Sequence, residues 1–137
     1  MAEYTKPLPQ PNPETEEFWK AAQRHEIALQ QCTACGEFRH PPLPVCPQCH
    51  SWDFTWEKAS EKGKVESWIV VHHVVYPAFL PDAPYNVALV SLDNYPYIQL
   101  TTNIVGCDNG DIRIGMPVTA VFDDVAEGVT LIRFRPA

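Results

Sequence analysis

Two pairs of cysteines constrain this chain more than any other feature of its sequence. Cys32 and Cys35 form one C-x-x-C pair, and after ten intervening residues Cys46 and Cys49 form a second. Each pair places two sulfurs on one tight turn, and two such turns facing each other complete a tetrahedron of thiolates, the usual arrangement of a structural zinc site. The spacing therefore predicts a zinc ribbon in which these four cysteines bind the metal.

Other uses of four cysteines agree less well with the sequence. Two disulfides would require an oxidising compartment, and the chain opens without the apolar stretch of a secretory signal. A redox C-x-x-C is expected once, next to a βαβ pattern. Iron bound as in rubredoxin uses a similar ligand set and remains an alternative to zinc. Because protein sulfur fills all four positions, the metal is expected to be structural and not catalytic.

The charge balance of the chain argues against a nucleic-acid partner. Ten Lys and Arg face 17 Asp and Glu, which gives a net charge of −7. Zinc ribbons that bind nucleic acid usually have a basic face. No apolar run approaches the roughly 18 residues of a membrane span. We therefore expect a cytoplasmic protein with neither a nucleic-acid nor a membrane partner.

Residues 1–25 are expected to form an arm and a short helix. The first 11 residues are polar and rich in proline, which favours an extended arm. Asn12-Pro13 is a typical helix start, and the helix is predicted to end near Arg24. Phe18 and Trp19 would be exposed on an isolated helix. They are therefore predicted to pack either on the rest of this chain or on another subunit.

Residues 26–60 are predicted to form the ribbon. Trp52, Phe54 and Trp56 recur with a period of two, which is typical of a strand with one buried face. We expect these aromatic side chains to cover the cysteine turns as the small core of the ribbon. His40 and His50 lie near the cysteines and are predicted to lie on the ribbon surface.

Residues 61–137 are predicted to form a five-stranded β-barrel after a turn at residues 62–64. Five β-rich segments follow one another with no convincing helix between them, which favours a small Greek-key barrel of the OB type. The pattern alone does not separate this fold from an SH3-like barrel. The predicted strands are residues 65–75, 86–92, 97–104, 118–122 and 129–134.

The segment between the first two barrel strands is unusually apolar. It is rich in proline and carries Tyr76, Phe79 and Tyr85. A loop stiffened in this way either forms a docking surface for a protein or a ligand, or folds over the open end of the barrel. If this chain contacts a ligand or a partner, these three aromatic residues, together with Phe18 and Trp19, are the predicted contacts.

The sequence contains no recognisable catalytic motif. A nucleophile elbow, a P-loop, a dinucleotide fingerprint and a zinc-protease helix are all missing. His72 and His73 are adjacent on a predicted strand, so they are expected to point to opposite faces and cannot share a proton. No catalytic residue is therefore predicted.

The order of these motifs resembles a known family. A helix with Phe18-Trp19 precedes Cys32-x-x-Cys35-Gly36 and Cys46-Pro47-x-Cys49, and the barrel half carries Gly63-Lys64-Val65, Pro84-Tyr85 and Gly115-Met116-Pro117. The chain resembles the acyl-CoA-associated proteins, formerly a domain of unknown function, that join an N-terminal helix, a rubredoxin-like zinc ribbon and a C-terminal OB-fold.

The resemblance implies a mainly β protein that serves as an accessory subunit. Members accompany thiolase-like enzymes of the lipid-transfer-protein type or hot-dog enoyl-CoA hydratases, and the partner carries out the chemistry. The four cysteines carry over as ligands of a structural zinc ion. The leading hypothesis is thus a non-catalytic subunit of an enzyme acting on acyl-CoA thioesters, including a retro-aldolase of steroid side-chain degradation. The alternative is an OB-fold module that binds single-stranded nucleic acid or acyl-CoA.

Overall fold

The computed structural model describes residues 4–95 and 97–137, so the first three residues of the predicted arm lie outside it. One α-helix, α1, spans Glu16–Gln23. The strands are β1 Ala28–Cys32, β2 Phe38–Arg39, β3 Phe54–Lys58, β4 Lys62–Val71, β5 Tyr85–Leu92, β6 Gln99–Thr102, β7 Pro117–Ala126 and β8 Val129–Pro136, with 3₁₀-helices at Pro77–Asp82 and Asn109–Asp111. No helix among the described residues is long and apolar enough to cross a membrane.

Helix α1 begins later than the sequence predicts. The side-chain oxygen of Asn12 accepts hydrogen bonds from the backbone N–H groups of Glu14 and Thr15 at 3.0 and 2.9 Å. These bonds close a turn before the first α-helical residue, because an Asn side chain readily satisfies free amides at a helix start. The buried side chains of α1 are Phe18, Ala21 and Ala22. The helix thus packs on its own chain, against β1, β7 and β8.

The ribbon is a three-stranded antiparallel sheet in the order β2-β1-β3. Its central strand is buried on both faces, since Leu29 and Gln30 are both inaccessible. The prediction for Trp52 is wrong: its side chain is 70% exposed, because β3 begins only at Phe54. Phe54 and Trp56 are half-buried, as expected for one side of a strand.

The barrel is a five-stranded antiparallel sheet in the order β6-β5-β4-β7-β8. Its two edges meet where the Phe134 N–H donates to the Asn103 carbonyl and the Val105 N–H donates to the Phe134 carbonyl. Bulges in β4 and β7 increase the local twist, which helps a short sheet to close. The predicted fold class, a mainly β chain with a zinc ribbon before an OB-like barrel, is confirmed.

A single hydrophobic core joins the helix, the ribbon and the barrel. Phe18 of α1 and both Ile27 and Leu29 of the ribbon belong to the same buried cluster as Val65 and Phe134 of the barrel. The ribbon therefore shares its apolar interior with the barrel instead of forming a separate one.

Strand β4 differs from its prediction at both ends. It begins at Lys62, so the turn expected at residues 62–64 is absent, and it ends at Val71. His72 and His73 consequently follow the strand, and both are exposed. The expected alternation of these two histidines between faces is wrong, because the β-branched residues beyond Val71 belong to the loop.

Gly63 allows β4 and β5 to approach closely, which yields a prediction. A Cβ atom on Gly63 would lie 2.4 Å from the Ser91 carbonyl oxygen and 2.8 Å from Val90 Cγ1. We expect Gly63→Ala to lower the free energy of unfolding by about 1–3 kcal/mol, as overpacking does in buried sites. Chemical denaturation followed by circular dichroism measures the change.

Gly110→Ala is the matched control. A Cβ atom on Gly110 would have no neighbour within 4 Å, and its φ lies outside the left-handed region. We expect its unfolding free energy to stay within about 0.5 kcal/mol of the parent value. Equal stability of the two variants would contradict the close approach of the strands at Gly63.

Candidate metal centre and docking groove

The four predicted ligands converge on one point of the ribbon. The sulfur atoms of Cys32, Cys35, Cys46 and Cys49 all lie within 4.8 Å of one another. Cys32 Sγ is 3.5 Å from Cys49 Sγ, and Cys35 Sγ is 3.6 Å from Cys46 Sγ. In a tetrahedron with Zn–S bonds of about 2.3 Å, the sulfurs lie about 3.8 Å apart. The cluster therefore fits a four-coordinate zinc ion, and its all-cysteine ligand set is typical of a structural site.

The two cysteine turns have the same backbone geometry. In the first, the Gly36 N–H donates to the Cys32 carbonyl at 2.9 Å, and in the second the His50 N–H donates to the Cys46 carbonyl at 2.9 Å. Gly36 and His50 both have positive φ, 80° and 64°. His50 thus occupies a backbone conformation that favours glycine, and its side chain is exposed, as predicted.

Backbone amides prepare the first cysteine of each pair to act as a thiolate. The backbone N–H of Cys35 lowers the pKa of the Cys32 thiol to about 6. The backbone N–H of Cys49 lowers the pKa of Cys46 in the same way. Burial and the neighbouring sulfurs act in the opposite direction on the second cysteine of each pair, and the pKa values of Cys35 and Cys49 are raised. The thiolate is the form that binds zinc, so the backbone amides would favour it at Cys32 and Cys46. Cys32 and Cys46 are also the two buried members of the cluster.

Phe18 and Trp19 lie beside a cavity of about 470 Å³ between α1, the ribbon and the open side of the barrel. Their rings are 5.2 Å apart, edge to face, and the Phe18 ring lies 5.1 Å from that of His40. His40 is half-buried here, and burial lowers its pKa to about 4. The expected surface position of His40 is therefore wrong, because α1 covers the segment that connects the cysteine pairs.

The three aromatic residues predicted in the proline-rich segment form one row. The Tyr76 and Phe79 rings are 5.9 Å apart, and the Phe79 and Tyr85 rings are 5.8 Å apart. Tyr76 and Leu80 are 55% and 57% exposed, so the segment presents apolar surface to solvent. The row is held by the 3₁₀-helix and by Lys6 of the arm, which pairs with Asp82.

A second cavity of about 460 Å³ lies between this row and the barrel, and Phe79 and Tyr85 line it. It shares Asn103, Leu131 and Arg133 with the first cavity, so the two adjoin. We call them together the two-cavity groove. Of the five predicted contact residues, four line this groove and Tyr76 lies against one of those four. Helix and loop residues far apart in the sequence thus meet along one surface.

Sequence reasoning missed the residues that divide the groove. Arg133 Nη1 donates to Asn103 Oδ1 at 2.6 Å, and Arg133 Nε donates to Asp123 Oδ2 at 2.9 Å. The one available signal was an arginine between Ile132 and Phe134 in a predicted strand. Nothing in the local pattern indicated that β6 and β8 would place this side chain between two cavities.

Comparisons with known proteins support this architecture. The profile of the ChsH2 rubredoxin-like zinc ribbon domain matches residues 19–55, and that of the ChsH2 C-terminal OB-fold domain matches residues 56–123. A DUF35 domain-containing scaffold protein of Methanocaldococcus jannaschii is 38% identical over 106 residues, which cover 77% of this chain and 73% of that protein. These matches agree with the resemblance found in the sequence.

Relatives named as enzyme subunits are also similar to this chain. A probable enoyl-CoA hydratase alpha subunit of Thermomonospora curvata is 41% identical over 96% of this chain. The 3-oxo-4,17-pregnadiene-20-carboxyl-CoA hydratase alpha subunit of Mycobacterium tuberculosis is 32% identical over 85% of it. The chain spans only 40% and 36% of the length of these two subunits.

A solved structure matches along nearly its whole length. A chain of the Ltp2-ChsH2(DUF35) aldolase is 41% identical and superimposes with a TM-score of 0.84. The match covers 93% of this chain and 98% of that chain.

Proposed function

Because the chain belongs to the DUF35 family, with the zinc ribbon and OB-fold of ChsH2, we propose that it is a zinc-containing accessory subunit of a thiolase-like enzyme. The enzyme would act on acyl-CoA thioesters, and retro-aldol cleavage of a steroid side-chain thioester is the reaction we favour. The observation that carries this proposal is the likeness to a chain of the Ltp2-ChsH2(DUF35) aldolase, which extends over 98% of that chain.

The extent of each match favours an aldolase-type partner over a hydratase. The hydratase alpha subunits are more than twice as long as the part this chain resembles. The aldolase chain has no comparable excess. A hot-dog hydratase is therefore the second choice of partner, and its catalytic residues would belong to the portion that this chain does not match.

The chemistry of the described residues supports a non-catalytic role. Four cysteine sulfurs would fill the tetrahedral coordination sphere of the metal, which leaves no open coordination position for a reactive water. The one histidine–carboxylate ion pair in the described part of the chain joins His25 to Asp124 at 3.1 Å. The Thr130 hydroxyl donates to that carboxylate and not to the imidazole, so no activated nucleophile results. This pair fastens the end of α1 to the barrel.

The two-cavity groove and the exposed aromatic row support a docking role. Its apolar walls, formed in part by Trp19 and Phe79, provide area that a partner would bury. Arg133 is already bonded to Asp123 and Asn103. We therefore propose that the partner supplies the cationic contacts to the phosphates of coenzyme A, while this chain shapes the surface around the acyl group.

Co-purification tests the assignment. We expect a tagged form of this chain, co-expressed with a candidate thiolase-like protein from the same organism, to elute as a stable hetero-oligomer in size-exclusion chromatography. Mass spectrometry of the peak identifies the partner. A chain that elutes as a 15.5 kDa monomer in the presence of that protein would contradict the proposal, and capture of a hot-dog hydratase instead would replace the thiolase-like partner.

A further inference from the structure

A buried arginine in the ribbon has no carboxylate partner among the described residues. Arg39 is 5% exposed, yet no Asp or Glu oxygen in the described part of the chain lies within 4.0 Å of its guanidinium. Its Nε donates to Gln30 Oε1 at 2.8 Å and its Nη2 to the Leu43 carbonyl at 2.9 Å, while Nη1 has no acceptor among the described residues. A buried cation held only by neutral acceptors is costly unless a negative charge lies nearby.

The strand register places this cation on the same face of the ribbon as the metal centre. Arg39 is the cross-strand partner of Gln30, and Phe54 is the partner of Cys32. Gln30 and Cys32 are two positions apart on β1, so their side chains share one face, about 7 Å apart along the strand. The guanidinium carbon lies 5.0 Å from the centre of the Phe54 ring, beside Cys32.

The same cluster connects the two cysteine turns. Gln30 Oε1 accepts from both Arg39 Nε and the Leu43 N–H, each at 2.8 Å. Leu43 lies three residues before Cys46, and Gln30 lies two residues before Cys32. The cluster thus fixes the chain that leads into the second turn against the strand that leads into the first.

We propose that Arg39 is a positioning residue of the metal centre that also compensates its charge. Four thiolates around a divalent cation form a net negative centre, and the buried guanidinium supplies the opposite charge on the same face. Its hydrogen bonds to Gln30 and Leu43 hold the turns at the separation the metal requires. The inference concerns the ribbon alone and is independent of the proposed accessory role.

The rate of zinc transfer from the full-length protein to a chromogenic chelator tests this role. We expect Arg39→Met to release zinc about 10–100-fold faster than the parent, because loss of a group that supports metal ligands indirectly typically weakens metal affinity by about that factor. Arg113→Met is the matched control, because Arg113 is exposed on the barrel. Release from this control should equal release from the parent protein.

Replacing Gln30 by glutamate changes the charge beside Arg39 and leaves the side-chain shape nearly constant. This variant therefore distinguishes compensation of the metal centre's charge from a role of Arg39 in packing alone. Gln30→Glu gives Arg39 a carboxylate at a position where it already contacts an amide oxygen. If Arg39 has no role toward the metal, a carboxylate at residue 30 should simply pair with the buried cation and stabilise the ribbon. The variant should then retain zinc longer than the parent protein. We expect the opposite, faster release, because the new carboxylate neutralises the cation that shares a face of the ribbon with the thiolates.

In the cobalt-substituted protein, the position of the thiolate-to-cobalt charge-transfer band can be measured. A purely structural role of Arg39 would leave this band unshifted. A cation near the sulfurs lowers the energy of their lone pairs, so its loss should shift the thiolate-to-cobalt charge-transfer band of cobalt-loaded Arg39→Met to longer wavelength. An unshifted band together with parental zinc release would overturn the proposal. If Arg39→Met does not fold, slower zinc release from Gln30→Glu would overturn it by itself.

Discussion

Replacing Cys46 by serine should strip zinc from the protein and unfold the ribbon. Cys46 is buried and supplies one of four converging sulfurs, and three thiolates bind zinc less tightly. In small zinc domains the apparent binding free energy, about 10–16 kcal/mol, is also folding free energy. Since Ile27 and Leu29 of the ribbon lie in the shared core, loss of the ribbon should also lower the melting temperature of the barrel. Metal analysis and thermal melting measure the two effects.

Cys107→Ser is the matched control for this experiment. Cys107 is half-buried and lies outside the four-sulfur cluster, and burial raises the pKa of its thiol. Its loss should leave both the zinc content and the melting temperature close to the parent values. If Cys46→Ser behaved like this control, the cluster would not be a structural metal site.

Truncating the exposed part of the aromatic row should strongly weaken binding of the proposed thiolase-like partner. Tyr76 and Leu80 are each more than half exposed, so the double variant Tyr76→Ala, Leu80→Ala should still fold. Residues that anchor protein interfaces cost about 1–2 kcal/mol or more when truncated. We therefore expect the Kd of the complex to rise about 100-fold, as measured by titration of the partner with the purified variant.

Ile114→Ala provides the comparison. Ile114 is 75% exposed, and the turn that carries it is bonded to Val65 near the start of β4. The aromatic row follows the other end of β4, so Ile114 lies at the opposite end of the barrel. Its truncation should leave the Kd unchanged. Equal effects of the two variants, or no effect of either, would remove the row from the interface.

Short-range patterns predicted the metal centre and the order of the barrel strands. The C-x-x-C spacing determines which sulfurs lie on which turn, whatever the rest of the chain does. Segments rich in β-branched and other apolar residues, separated by turn signals, identified all five barrel strands. The strand ends were less predictable: β7 continues beyond Phe122 to Ala126, since Asp123 and Asp124 still pair with Leu131 and Thr130 of β8.

Contacts between distant parts of the chain determine the features that the sequence did not indicate, namely the buried polar residues of the ribbon and the groove. Gln30 is a polar residue that its local sequence does not mark as buried, yet it is 1% exposed because β2, β3 and the Leu43 segment surround it. The burial of Arg39 and the union of two cavities at Arg133 likewise depend on segments that meet only in the folded chain. The five predicted contact residues are recognisable in the sequence because they are aromatic. Their common surface is not, because it follows from the closure of the barrel.

Acyl-CoA thioester turnover by the purified, zinc-loaded chain, measured alone and after addition of the proposed thiolase-like subunit, tests the accessory role most directly. We expect no conversion above the uncatalysed rate for the chain alone, even when its concentration is raised, and clear turnover by the complex. Thioester conversion that rises in proportion to the concentration of this chain alone would contradict it.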